Sequence, residues 1–334
     1  MPRFAGEFGR TCSSFAPIIP LHGPHRQMLA ARYWPNGGEI AADQYYKIPT
    51  IDSGDTLVVA GNRPTGWLPG QRIILLVHGL TGCYQSTYNI RLTRRFLRQG
   101  YGVFRVNLRG CGPGFGHARG IYHSGRSEDT REVLRWLAKS WPESPVTQIG
   151  FSLGGNITLK MAGEDGNRPT GNLDSVASVS APIDLSLSSR KLRHSSRLIN
   201  RYFVSELQKE VLRREEFFNL HPRTDLSSVR ILADFDDAYT APWGGFRDAE
   251  DYYQQSSAFP WMKHIGIPSL VLTADDDPCV DSSPYYQLEP GPNMDLVVTG
   301  TGGHVGFFGR SDEPRCYHWS DIILDRWLSR RSKH

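Results

Sequence analysis

Long apolar stretches are missing from this chain. No run of roughly eighteen apolar residues, the length a membrane-crossing helix needs, occurs in it. Stable membrane insertion is therefore not expected. Cysteine is scarce too: Cys12, Cys83, Cys111, Cys279 and Cys316 are five in number, lie far apart and form no Cys-x-x-Cys pair. That indicates neither a disulfide framework nor a zinc ribbon, and it fits reduced thiols in a cytoplasmic protein. The opening residues hold no apolar leader, and Phe15 to Leu21 is short and broken by Pro17 and Pro20, so no signal peptide is expected. Charge of one sign is lacking as well. With 38 basic against 34 acidic residues the net is +4, which gives no footprint for nucleic acid. The basic cluster Arg330, Arg331 and Lys333 reads as a solvated tail. No internal repeat or low-complexity tract is visible.

What remains is an ordinary folding composition, 39% hydrophobic and 22% charged over 334 residues. Such a length fits two domains, or one α/β domain carrying an insertion. Short β-branched runs at Arg72 to Val77, Gly102 to Asn107, Val146 to Phe151, Val176 to Ser180, Ser269 to Thr273 and Asp295 to Thr299 read as six strands. Amphipathic stretches lie between them, among them Arg91 to Gln99 and Glu128 to Lys139, the second with Ser127 as a cap. Alternation of this kind predicts an α/β fold, a mainly parallel sheet flanked by helices. Gln44 to Pro49 and Thr56 to Ala60 read as a leading hairpin turning at Asp52-Ser53-Gly54. The alternation breaks between Pro182 and about Pro260. There Leu198, Ile199, Tyr202, Phe203, Leu207, Val211 and Leu212 recur at helical spacing, which predicts a helix with one buried stripe. The expected organisation is a core at 1–181 and 261–334, with a helical insertion at 182–260.

Gly150-Phe151-Ser152-Leu153-Gly154 is a G-x-S-x-G pattern, the turn that thrusts a serine up between a strand and a helix. The pattern alone is weak, with about 0.3 chance matches expected in a chain of this glycine content. Its context strengthens it, because a strand run precedes Ser152 and a helix-compatible run follows. A serine hydroxyl needs a base to take its proton and a carboxylate to orient that base. His304, in Gly302-Gly303-His304 after the last strand, supplies the first. Asp277, in Asp275-Asp276-Asp277-Pro278 after the preceding strand, supplies the second, with Asp276 as the alternative and Asp275 as a solvated loop acid. Ser, Asp, His is the chain order of α/β-hydrolases. An oxyanion would need two backbone N–H donors, assigned to Leu153 and to Leu80 in Val77-His78-Gly79-Leu80-Thr81-Gly82.

Other candidates have plainer readings. His78 is expected to hold its loop by hydrogen bonds, and His123 to stand at a helix entry or pocket wall. Cys111 has no evident base, and the Asp234 to Asp237 cluster reads as a solvated or helix-capping face rather than a cation site. Phe203, Trp243, Phe246 and Trp261 could line an apolar acyl pocket or form the core of the insertion.

Taken together, these stretches resemble the YheT-like branch of the α/β-hydrolase superfamily, related to eukaryotic α/β-hydrolase-domain lipases and esterases. The resemblance rests on His78-Gly79-Leu80-Thr81-Gly82, Asn107-Leu108-Arg109-Gly110-Cys111-Gly112, Tyr122-His123-Ser124-Gly125 and Gly150 to Asn156. It continues through Phe235-Asp236-Asp237, Asp251-Tyr252-Tyr253, Asp276-Asp277-Pro278 and Gly302 to Phe307, and spans about Pro24 to Trp327. It implies carboxylic-ester hydrolysis by Ser152, His304 and Asp277 with no cofactor, and a helical cap over the pocket. The chain departs from the family at Gly23 to Met28, where an Asn-Pro-His-Leu-Gln-Thr-like run is usual, and at Asp275. The reading is thus a serine hydrolase acting on a small-molecule ester of short to medium acyl chain through an acyl-enzyme. Acyl transfer by the same residues, or a hydrolase-fold binding protein without turnover, are the alternatives, and oligomeric state is not readable.

Overall fold

The computed structural model describes residues 3–331 except 13–14, 35–37, 53, 196, 311–312 and 314–315. Nine strands form one sheet: Arg3–Ala5 (β1), Gln44–Pro49 (β2), Thr56–Asn62 (β3), Ile73–Val77 (β4), Gly102–Asn107 (β5), Val146–Phe151 (β6), Leu173–Val179 (β7), Ser269–Ala274 (β8) and Met294–Thr299 (β9). Their spatial order is β1-β9-β8-β7-β6-β4-β5-β3-β2. The six from β9 across to β5 run parallel. β3, β2 and β1 join antiparallel to β5, β3 and β9. Every residue of β4, β5, β6, β8 and β9 is buried, because helices cover both faces.

The principal helices are Pro24–Tyr33 (α1), Thr87–Arg98 (α2), Ser127–Ser140 (α3), Leu153–Asp165 (α4), Leu185–Ser195 (α5), Arg197–Phe217 (α6), Ala249–Ser256 (α7) and Trp319–Arg331 (α8). Alternating side chains of β4 feed two cores. Leu75 and Val77 pack with Val133 and Leu134 of α3 and Ile157 of α4, while Ile74 and Leu76 pack with Phe96 of α2 and Trp327 of α8. The chain leaves β4 toward β5 on one side and returns to β6 on the other. Such a switch point opens a crevice at the carboxyl ends of the strands.

Four expectations change. The edge strand β1, too short to carry a period, adds a ninth strand. Ser127 is not a cap: Arg126 occupies that position without a side-chain capping bond, and Ser127 Oγ donates to Glu164 Oε2 at 2.6 Å. Arg330 and Arg331 belong to α8 and lie over the rings of Phe8 and Trp327 at 4.9 and 4.5 Å, not in a solvated tail; Lys333 lies outside the described residues. The buried line of α6 is Asn200, Val204, Leu207, Val211 and Arg214, packed on Phe235 and Tyr239. Leu198, Tyr202 and Leu212 fall off that line and are exposed. Ser53 of the expected hairpin turn lies outside the described residues. Helices from α5 through Phe259–His264 fill most of the interval between β7 and β8, with a non-helical stretch at 218–231. No helix among the described residues is long and apolar enough to cross a membrane.

Candidate active site

Ser152 stands between the end of β6 and the start of α4 with φ 52 and ψ −120, a backbone conformation a non-glycine residue occupies only when its surroundings impose it. The flanking glycines make this possible by close approach. A Cβ at Gly150 would lie 2.2 Å from Gly154 O, and one at Gly154 would lie 2.5 Å from Val77 O. α4 then turns away directly beneath the serine, buried from Leu153 through Gly163.

His304 follows β9 on a loop whose Gly303 has φ 60. A side chain at Gly303 would meet Pro24 O at 2.6 Å, so the loop lies tight against α1. His304 Nε2 is 2.9 Å from Ser152 Oγ. Its Nδ1 is 2.8 Å from Asp277 Oδ2. Asp277 is fully buried, and its Oδ1 accepts the N–H groups of Cys279 and Val280 at 2.8 and 3.0 Å. Asp276 points elsewhere: its Oδ1 accepts Gly303 N–H at 2.8 Å, and burial raises its pKa. Asp275 accepts the Tyr286 hydroxyl at 2.7 Å. The hydroxyl, imidazole and carboxylate singled out from sequence therefore form one continuous hydrogen-bond chain across the ends of β6, β8 and β9. A carboxylate at Nδ1 holds the proton on that nitrogen and leaves Nε2 free to accept from serine.

The loop after β4 runs beside this turn because β4 and β6 are neighbours. A Cβ at Gly79 would sit 3.0 Å from Ser152 Cβ. Gly79 O accepts from Gly82 N at 3.1 Å and from His78 Nδ1 at 2.7 Å. In a trans peptide the N–H points opposite the C=O, so Leu80 N–H is directed away from both donors. Neither it nor Leu153 N–H has an acceptor among the described residues. His78 is buried and neutral, its pKa pushed down to about 4 by desolvation, and its Nε2 accepts Leu108 N–H at 3.1 Å. The next amide, Thr81 N–H, donates to Tyr122 OH at 3.2 Å, and that hydroxyl donates to Glu210 Oε2 on α6 at 3.1 Å.

A cavity of about 120 Å³ opens beside Leu80 and Leu153, walled by Ile121 and Tyr122 from the sheet side and by Leu207 and Val211 from α6. Phe203, Trp243, Phe246 and Trp261 do not line it. The walls come instead from the buried line of α6 and from Phe235 and Tyr239. His123 stands in the wall, and burial followed by the Arg126 charge drives its pKa down to about 3. Cys111 is buried, and desolvation followed by Glu210 raises its thiol pKa. Asp234 caps a helical turn by accepting Ile231 N–H at 3.1 Å, and Asp237 accepts Ala249 N–H at 2.7 Å. Asp236, expected on a solvated or capping face, is buried instead, bonded to the Thr240 and Tyr253 hydroxyls at 2.7 Å each. Burial pushes its pKa up to about 7, and that of Glu210 likewise.

Several positioning residues carried no signal of their own in the sequence. Gln27 of α1, fully buried, receives Phe308 N–H at 2.6 Å and donates to Phe308 O at 2.9 Å, which fixes the loop bearing His304. Ser180 Oγ accepts Val305 N–H at 3.0 Å. Arg109 is buried among Asp129, Asp55 and Asp52 and ties the turn after β5 to α3 and to the leading hairpin. Asn156 on α4 donates to Ser124 O and Ser256 O. The resemblance run at Gly23 to Met28 was the one available pointer to Gln27. Cys279 also lies here: its sulfur, Asp277 and His304 each place a ligand-type atom within 4.8 Å of the others. The carboxylate and imidazole are already bonded, and burial raises the thiol pKa, which opposes the thiolate a metal would need.

A serine, histidine and aspartate joined at the carboxyl ends of parallel strands define a class of hydrolase architecture. The chain belongs to the α/β-hydrolase fold family, whose model matches residues 72–311. Within that family YheT of Escherichia coli (strain K12), provisionally named an esterase, is 31% identical over 329 residues, covering 95% of this chain and 94% of YheT. Human phospholipase ABHD3 is 27% identical, covering 98% of this chain and 77% of its own. Yeast monoacylglycerol lipase is 29% identical, covering 73% of this chain and 57% of its own. Among solved structures, the esterase Est1E of Butyrivibrio proteoclasticus with ferulic acid bound superposes with a TM-score of 0.54 at 13% identity, covering 86% of this chain and 100% of Est1E.

Proposed function

We propose that the protein hydrolyses carboxylic esters of short to medium acyl chain through an acyl-enzyme, with residues 182–260 acting as a cap over the pocket. The observation that carries this reading is the unbroken chain from Asp277 through His304 to Ser152. Ser152 attacks the ester carbonyl while His304 Nε2 takes its proton, and Asp277 stabilises the imidazolium that forms. Leu80 and Leu153 N–H groups hold the developing oxyanion. His304 then returns the proton to the leaving alcohol, and water activated by the same imidazole releases the acid. No cofactor enters this scheme. The names of the relatives support ester chemistry, and the apolar walls of the cavity suit an acyl chain. Five cysteines without a disulfide suit a reducing compartment such as the cytoplasm.

Labelling by a fluorophosphonate and turnover of p-nitrophenyl butyrate test the reading. Wild-type protein is expected to label and turn over, and Ser152→Ala to lose the label and at least about 10⁴-fold in kcat. Retention of most activity by Ser152→Ala, or an unlabelled folded wild type, overturns it.

A further inference from the structure

Several largely buried arginines meet carboxylates. Arg72 pairs with Asp174, Arg91 with Asp321, Arg95 with Asp325, and Arg131 with Glu164 and Asp165. The face made by α5, the first turns of α6 and α1 differs. From Leu185 to Ser205 the chain carries Arg190, Lys191, Arg193, Arg197 and Arg201 with no aspartate or glutamate, and α1 carries Arg26 and Arg32, again with no acid. Arg26, Arg32, Arg190, Arg193, Arg197 and Arg201 are all exposed, and among the described residues none is in an ion pair.

Apolar side chains stand between these cations. Leu198 is 81% exposed, Tyr33 71% and Leu29 56%. Arg197 with Arg201, and Leu198 with Tyr202, are spaced four apart and share one side of α6. Arg32 of α1 donates to Tyr202 OH at 2.8 Å and lies 5.0 Å from its ring centroid, so the two helices present one continuous surface. Interleaved arginine, leucine and tyrosine on an exposed helix face is the pattern of a helix lying in a lipid interface.

We infer that this face docks the protein peripherally on an anionic lipid bilayer, with the arginines against headgroup phosphates and Leu198, Leu29 and Tyr33 at the acyl boundary. A nucleic acid or acidic protein would satisfy the cations but leave the leucines and tyrosines in water. A second copy of the chain would set two cationic faces against each other. α6 links this face to the cavity, since Leu207, Glu210 and Val211 on its later turns line the pocket. Docking therefore brings the pocket close to the lipid, whichever ester the pocket accepts.

Sedimentation of the full chain with vesicles tests this, using phosphatidylcholine alone and phosphatidylcholine mixed with phosphatidylglycerol. Wild type is expected to bind the anionic vesicles at least about tenfold tighter, and to lose that binding at high salt. At about fivefold per cation near an anionic surface, Arg197→Glu with Arg201→Glu should weaken binding by about 25-fold or more. Leu198→Ser should weaken it several-fold. Arg135→Glu with Lys139→Glu, the same charge change on α3, should leave it within twofold. All three variants should keep wild-type turnover of p-nitrophenyl butyrate, which separates a docking failure from a failure of the esterase reading. Equal binding to both vesicle types, equal weakening by the α3 control, or tighter capture by heparin than by anionic vesicles would each overturn the inference.

Discussion

Two regions of this molecule solve the burial of polar groups differently. At the strand ends, Asp277, Asp276 and His304 are held by backbone N–H groups and by each other, so their geometry follows from the sheet. In the inserted helices, Asp236 is buried and Glu210 partly buried, with only hydroxyl partners and, among the described residues, no cation bonded to them. Hydroxyls satisfy the lone pairs without neutralising the charge, so desolvation dominates there. The strand ends are built to keep one arrangement, and the insertion is built to shape an apolar cavity at an electrostatic cost.

The largest expected effect breaks the first region. In Asp277→Asn, Cys279 and Val280 N–H claim the amide oxygen, which turns the NH₂ toward His304 Nδ1. That nitrogen must then accept, Nε2 carries the proton, and Ser152 loses its base. A fall of about 10⁴-fold in kcat follows, whereas Asp276→Asn, which weakens only the hold on Gly303 N–H, should cost about tenfold or less. Steady-state kinetics on p-nitrophenyl butyrate decides between them, and the opposite ranking would move the orienting role to Asp276.

A smaller effect sharpens the comparison from the side of the insertion. The Asp236 carboxyl stands at about 7 in the folded protein, well above its value in an unfolded chain, so folding takes up a proton in the interval between. The contribution is present in full below the unfolded pKa and is lost as pH rises through about 7. Asp236→Asn removes this dependence. It should stabilise the protein by on the order of 2 kcal/mol at pH 8 and change little near pH 4. Urea midpoints at the two pH values measure the difference, and an unchanged pH dependence in the variant would place the titration elsewhere.

How much of this was legible in the sequence follows the same division. β5 and β6 match the expected runs residue for residue, because each carries β-branched and aromatic residues bounded by turn residues, although Arg105, Asn107, Thr147 and Gln148 are buried within them. Ser152 and His304 were readable because glycines mark the turns that carry them. Asp277 was less so: three adjacent aspartates look alike until the backbone sends one to the imidazole, one to Gly303 N–H and one to Tyr286. Gln27 and Arg109 were not readable as positioning residues, since their partners come from strands and loops far away in the chain. The insertion was legible as helical, but its inward face was not, because apolar residues on α6 exceed what one stripe can bury.

The smallest predicted effect tests that last point on a single helix. Leu207 is 5% exposed and packs on Phe235 and Tyr239, while Leu198 on the same helix is 81% exposed. Leu207→Ala removes buried methyl groups and leaves a cavity, at a cost of about 2–5 kcal/mol. Leu198→Ala removes the same atoms from a side chain already in water, so unfolding by urea should shift by less than about 0.5 kcal/mol. Equal losses at the two sites would mean that Leu198 is buried in solution, which would restore the stripe read from the sequence and remove the apolar component of the docking face.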